Sequence, residues 1–189
     1  MEALLTSTAL VALAEIGDKT QLLAILLATR FKRPWPIIAG IFVATLANHF
    51  LAAIVGSEIA AWLDGTWFRY LIAASFIAMA IWTLIPDRLD GFETRPARFG
   101  AFLTTMMAFF LVEMGDKTQA ATVALGARFH DVVGVTAGTT LGMMIANVPA
   151  VFLGNELVKR MPIRTVHIIA ALLFLAAGLW LAAQTAGWL

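Results

Sequence analysis

Glu15-Ile16-Gly17-Asp18-Lys19-Thr20-Gln21 returns 98 positions later as Glu113-Met114-Gly115-Asp116-Lys117-Thr118-Gln119, with six of the seven positions identical. Both copies interrupt long apolar runs. Reading those runs between charged or Pro/Gly breaks predicts six helices, over 3–29, 35–62, 67–85, 99–127, 132–158 and 166–188. Most reach the length of about 20 residues that a bilayer's hydrocarbon core demands. Residues 16 and 113 are the midpoints of the first and fourth runs, which puts both acidic motifs at mid-membrane. The nearer helix end is about 20 Å away along the axis, beyond the reach of any snorkelling side chain. A charge at that depth costs from about 2.5 to well over 10 kcal/mol, so these groups must face partners, water or a bound ion.

The composition agrees. Of 189 residues, 61% are hydrophobic and 13% charged, with a mean hydropathy of +0.87, against about 25% charged in a soluble domain. A water-soluble globule is excluded, and six spans leave no room for a soluble catalytic or nucleic-acid-binding domain. The apolar runs are too long and continuous for the alternating strands, about 10 residues each, of an outer-membrane barrel. With no cysteine, disulfides and thiolate metal sites are excluded as well. The N-terminus opens Met1-Glu2 without a basic region and carries Glu15, Asp18 and Lys19 in its apolar stretch, so it reads as a retained first span rather than a cleaved signal.

The repeat extends well beyond the motif. The same offset pairs Arg30 with Arg128, Phe31 with Phe129, Gly40 with Gly138, Gly56 with Gly154, Glu58 with Glu156, Phe76 with Phe174 and Trp82 with Trp180. The expected architecture is all-α: a first three-helix repeat over 1–98 and a second over 99–189. Three is odd, so the second repeat enters the membrane from the opposite side, the inverted plan of secondary transporters, whose substrate site lies near the midplane. Basic residues collect on one face, in Arg30, Lys32, Arg33, Arg88, Arg95, Arg98, Lys159, Arg160 and Arg164, while the other face holds only Arg69 and Arg128. Both termini are therefore expected outside the cytoplasm. The tryptophans fall near span ends, where an interfacial belt places them. The middle loop mixes its arginines with Asp87, Asp90 and Glu93 and reads as a solvated connector.

On a continuous helix Glu15 and Asp18 share a face, with Lys19 four residues beyond Glu15. Two such faces meeting at a pseudo-two-fold axis would converge Glu15, Asp18, Glu113 and Asp116. These four acids with Lys19 and Lys117 sum to minus two, a charge that one divalent cation or two protons would neutralise. Once a cation leaves, crowded carboxylates in a low dielectric take up protons, because like charge and desolvation both disfavour the ionised form. A carrier that moves only when neutral would exchange one for the other. Intrahelical Glu–Lys staples do not explain two central copies.

Other residues surround this centre. Gly17 and Gly115 would permit either close helix approach or local unwinding that offers backbone carbonyls. Asn48 and Asn147 lie near the midpoints of the second and fifth spans and could add amide oxygens, although their offset is 99 rather than 98. The stripes at i+4 spacing, Pro36, Gly40, Ala44, Asn48, Ala52 and Gly56, and Gly134, Gly138, Gly142, Ala146 and Ala150, carry small residues that allow tight helix packing. Pro149 is expected to kink its helix close to Asn147. Thr20, Gln21, Thr118 and Gln119 turn partly away from the acids on a helical wheel and are supporting candidates. His49, the only imidazole nearby, reads as packing or support, with ligation or proton relay as the lesser alternative. Glu58 and Glu156 near span ends suit solvated or gating roles. An all-oxygen donor set suits Mg²⁺, Ca²⁺ or Mn²⁺ rather than Zn²⁺ or Cu⁺.

Two copies of E-x-G-D-[KR]-[TS] in a six-helix chain of this size resemble the GDT/Mne-type cation exchangers. That family includes bacterial manganese exporters and Golgi and chloroplast Mn²⁺/Ca²⁺ transporters. Both copies match the pattern at every fixed position. The resemblance implies a multi-pass protein of the bacterial plasma membrane that exports Mn²⁺ in exchange for H⁺, with Glu15, Asp18, Glu113 and Asp116 as the cation site. Ca²⁺/H⁺ exchange is the alternative. Its partners would be the lipid bilayer and the transported ion, with no resident cofactor and no nucleic acid. Two rivals differ in class. An intramembrane aspartyl protease shares a G-D element, but Glu15 replaces the first glycine of its G-x-G-D pattern. An exporter of organic solutes would have to hold something bulkier than converging acids favour.

Overall fold

The computed structural model describes residues 1–63, 65–85, 99–154, 156 and 162–188, and among them it is all-α. Eight helices follow in order: α1 (Glu2–Glu15), α2 (Lys19–Phe31), α3 (Pro34–Trp62), α4 (Thr66–Thr83), α5 (Ala101–Glu113), α6 (Lys117–Phe129), α7 (Val132–Leu153) and α8 (Ile163–Thr185). Helices α3, α4, α7 and α8 are long and apolar enough to cross a bilayer, which makes this a polytopic membrane protein. Their outer surfaces keep large apolar side chains exposed, among them Phe50, Leu71, Ile145 and Leu172. Such a coat suits lipid tails rather than water.

The expected continuous helices over 3–29 and 99–127 are each two short helices separated by residues 16–18 and 114–116. The four pieces have 14, 13, 13 and 13 residues, about 20 Å each, short of a core about 30 Å thick. Helix α7 stops at Leu153, where Gly154 takes a φ of +58°. The charged middle-loop residues Asp87, Arg88, Asp90, Glu93, Arg95 and Arg98 lie outside the described residues, as do Lys159 and Arg160.

Packing follows the 98-residue register across the halves. Helix α3 lies on α5 and α6, α7 lies on α1 and α2, and α4 pairs with α8. A Cβ on Gly40 would stand 2.7 Å from the Phe102 carbonyl oxygen and 2.9 Å from the Thr105 Cβ. On Gly138 it would stand 2.5 Å from the Leu4 carbonyl oxygen and 2.9 Å from the Ser7 Cβ. Leu4 and Ser7 are the counterparts of Phe102 and Thr105, so each glycine lets its helix approach the same place on the other half. Helices α2 and α6 end alike, on the left-handed residues Lys32 (φ +53°) and His130 (φ +51°). Arg30 and Arg128 each lie 5.6 Å over the ring that follows them, Phe31 and Phe129.

Candidate metal centre

The motif is first of all a turn. Ile16 (φ −66°, ψ 116°) and Gly17 (φ +84°) are the central pair of a type II turn, closed by the Asp18 N–H donating to the Glu15 carbonyl at 3.1 Å. Met114 (φ −65°, ψ 115°) and Gly115 (φ +80°) repeat it, with Asp116 N–H to the Glu113 carbonyl at 3.0 Å. The positive φ at the second central position is why glycine stands there. Three residues past the aspartate, the turn gains its brace from glutamine: the Gly17 N–H donates to Gln21 Oε1 at 2.9 Å, and the Gly115 N–H to Gln119 Oε1 at 2.7 Å. Gln21 also ties this turn to α7, donating from Nε2 to the Ala146 carbonyl at 2.9 Å. Of the two roles left open for the glycines, both positions show local unwinding, and Gly17 shows close helix approach as well.

The turns place Asp18 and Asp116 as N-caps of α2 and α6, where unpaired N–H groups favour negative charge. Asp116 Oδ1 accepts from the Lys117 N–H at 2.7 Å. Glu15, Asp18 and Asp116 each offer an oxygen, all within 4.8 Å of one another, and all three residues are buried. Lys19 crosses between the halves to pair with Asp116, its Nζ 3.0 Å from Oδ1. Glu15 is held from both halves as well, since the hydroxyls of Thr20 and Thr118 donate to its two oxygens. The helical wheel turned those threonines partly away; breaking the helix brings them in. Three ionised carboxylates and Lys19 sum to minus two, the complement of one divalent cation.

The fourth acid is held separately. Glu113, fully buried, accepts from Thr45 Oγ1 at 2.9 Å and from Asn48 Nδ2 at 3.2 Å. Asn48 donates also to the Phe110 carbonyl at 3.0 Å. Asn48 thus supports an acid with its nitrogen. Asn147 turns its amide nitrogen to its own helix, 3.0 Å from the Met143 carbonyl oxygen and 2.9 Å from Met143 Sδ. Lys117 donates to the Ile85 carbonyl at 2.8 Å. Glu58 is exposed, as is Glu156.

The two turns are covered differently. A Cβ on Gly17 would lie 2.5 Å from Ile163 Cγ2, and His167 Nε2 stands 2.9 Å from the Ile16 carbonyl oxygen, so the start of α8 closes over the first turn. Around Gly115 no described atom would lie within 4 Å of such a Cβ, and Met114 is 56% exposed. Sequence reading passed over Thr45, Ile163 and His167. Thr45 was legible as the residue one turn before His49 on a polar stripe. The two α8 residues carried no repeat signal, because their counterparts are Gly65 and Arg69.

The protein family described as the divalent cation/proton antiporter GDT1 matches the chain over residues 3–91 and 101–188. A Vibrio cholerae protein named "Putative manganese exporter" is 50% identical over 180 residues, covering 95% of this chain and 90% of that protein. A GDT1-like protein of Synechocystis is 30% identical over 186 residues, covering 87% and 89%. GDT1-like protein 3 of Arabidopsis thaliana is 27% identical over 207 residues, covering 92% and 68%. No solved structure matches the chain.

Proposed function

The chain belongs to the GDT1 divalent cation/proton antiporter family, and on that premise we propose that it exports Mn²⁺ from a bacterial cell in exchange for H⁺. Membership makes it a transporter rather than an enzyme, which sets the protease reading aside. The observation that carries the proposal is the buried trio Glu15, Asp18 and Asp116, with ligand oxygens all within 4.8 Å and drawn from both halves of the chain. The manganese assignment is supported by the name of the Vibrio cholerae relative and by the oxygen-rich donor set.

In this reading Glu15, Asp18, Asp116 and Glu113 hold the cation, and Lys19 trims the charge of the trio to match it. Release of the ion leaves like charges crowded in a low dielectric, and protons arriving from the far side neutralise them. Asn48 and Thr45 hold Glu113 ready, Thr20 and Thr118 orient Glu15, and Gln21 and Gln119 keep the turns open. Asn147 adds an amide oxygen from α7, and Lys117 anchors the start of α6 while contributing charge.

Each pair of short helices, α1 with α2 and α5 with α6, forms one broken span. With the four long helices that gives six crossings, arranged as two inverted repeats over 1–98 and 99–189, with both termini on the non-cytoplasmic side. The doubled family match and the cross-half glycine contacts support the repeat. The basic-residue count supports the orientation. Purified protein in liposomes, acidic inside, should take up external Mn²⁺ as internal protons leave. Flux indifferent to the pH gradient would contradict proton exchange, and a panel of Mn²⁺, Ca²⁺ and Mg²⁺ identifies the preferred ion.

A further inference from the structure

His49 is fully buried on α3, and neither of its ring nitrogens has a hydrogen-bond partner among the described residues. Leaving a buried polar atom unsatisfied forfeits its hydration with nothing in return, and buried polar groups are ordinarily paired. The 98-residue register assigns His49 to Asn147 on α7. There too the side chain is fully buried and an atom, Oδ1, lacks a partner among the described residues. Chemically different residues thus leave an unsatisfied polar atom at the same place in each half.

The place is informative. His49 follows Asn48, whose amide holds Glu113 Oε2, and stands four residues beyond Thr45, whose hydroxyl holds Glu113 Oε1. Residues at i and i+4 share a helix face, about 5–6 Å apart. His49 therefore continues the stripe that serves Glu113, at the depth of the acidic centre.

We propose that His49 is a nitrogen ligand to the transported cation when Glu113 engages it, and that it sets the preference for a transition-metal divalent cation over Ca²⁺ and Mg²⁺. The proposal rests on the cation-exchange reading above. Carboxylate and amide oxygens suit Mg²⁺, Ca²⁺ and Mn²⁺ alike, whereas imidazole is a donor for transition metals and has little to offer the hard alkaline-earth ions. Asn147 supplies oxygen at the equivalent position, so the nitrogen enters from one half alone.

The test uses full-length protein, with Mn²⁺ and Ca²⁺ as probes. In wild type labelled with ¹⁵N-histidine, pulsed electron paramagnetic resonance of bound Mn²⁺ should show ¹⁵N coupling, and H49N should remove it while His130 and His167 remain. In liposomes, H49N and H49A should keep Ca²⁺ uptake while the Mn²⁺-to-Ca²⁺ preference falls at least about tenfold. Wild-type exchange without ¹⁵N coupling, or variants with unchanged preference, would overturn the role of His49 and leave the exchange reading standing. No exchange of either ion by wild type would sink both. The coupling is read in wild type, so the proposal stays exposed even where a variant fails to fold.

Discussion

Phe76 stacks on Phe174, its counterpart 98 residues later, with ring centroids 6.4 Å apart and planes 27° from parallel. Both rings are buried, in the contact between α4 and α8. A residue that touches its own counterpart lies where the two halves meet, so this pair should hold them together. Truncating either ring to alanine should cost about 3 kcal/mol. The double variant should cost less than the sum by about 1 kcal/mol. Thermal unfolding in detergent measures all three, and strict additivity would deny the contact.

Neutralising the acids separates the centre from its surroundings. E15Q, D18N, E113Q and D116N should each lower Mn²⁺ flux in liposomes far more than E58Q or E156Q. Equal losses would place the site elsewhere. Because the trio combines both halves, D18N and D116N should fail to similar extents.

Cation binding should stabilise the folded protein. At a hundredfold excess over its dissociation constant, Mn²⁺ should add about 2.7 kcal/mol. The accompanying rise in Tm should vanish in D18N and D116N. A shift that survives both would mean the ion binds outside the trio.

The two glycine turns should respond unequally. An alanine at either position meets a positive φ, at a cost of about 1–2 kcal/mol. At Gly17 it also collides with Ile163, whereas at Gly115 it meets no atom of the described residues within 4 Å. G17A should therefore lower Tm more than G115A. Matching losses would mean that α8 does not seat on the first turn.

The absence of cysteine makes single-cysteine labelling clean. M114C should react with a membrane-impermeant thiol reagent, and I16C should resist it until H167A removes the contact from α8. Protection of both positions would mean that the second turn faces lipid rather than water.

Much of the centre was legible because its signals are local. The repeated motif and its acids need only spacing and the cost of intramembrane charge. What escaped depends on which atoms the packed helices bring within reach. On a continuous helix through Glu15 and Asp18, Thr20 and Thr118 rank only as supporting candidates; the type II turn redirects them onto Glu15. Nor does spacing show that Glu113 finds Thr45 and Asn48 on α3. Asn147 was paired with Asn48 by residue type, but strict register pairs it with His49, and only packing shows that both are buried.

The unequal cover over the two turns reaches beyond this one conformation. If the halves trade roles, the seal made by Ile163 and His167 over Gly17 must be remade over Gly115 with Gly65 and Arg69, a residue without a side chain and a permanent cation. The two shut forms are then built from different materials and differ in free energy. An empty carrier would dwell longer facing one way than the other, giving this internally repeated chain a preferred idle posture and its two directions of travel unequal rates.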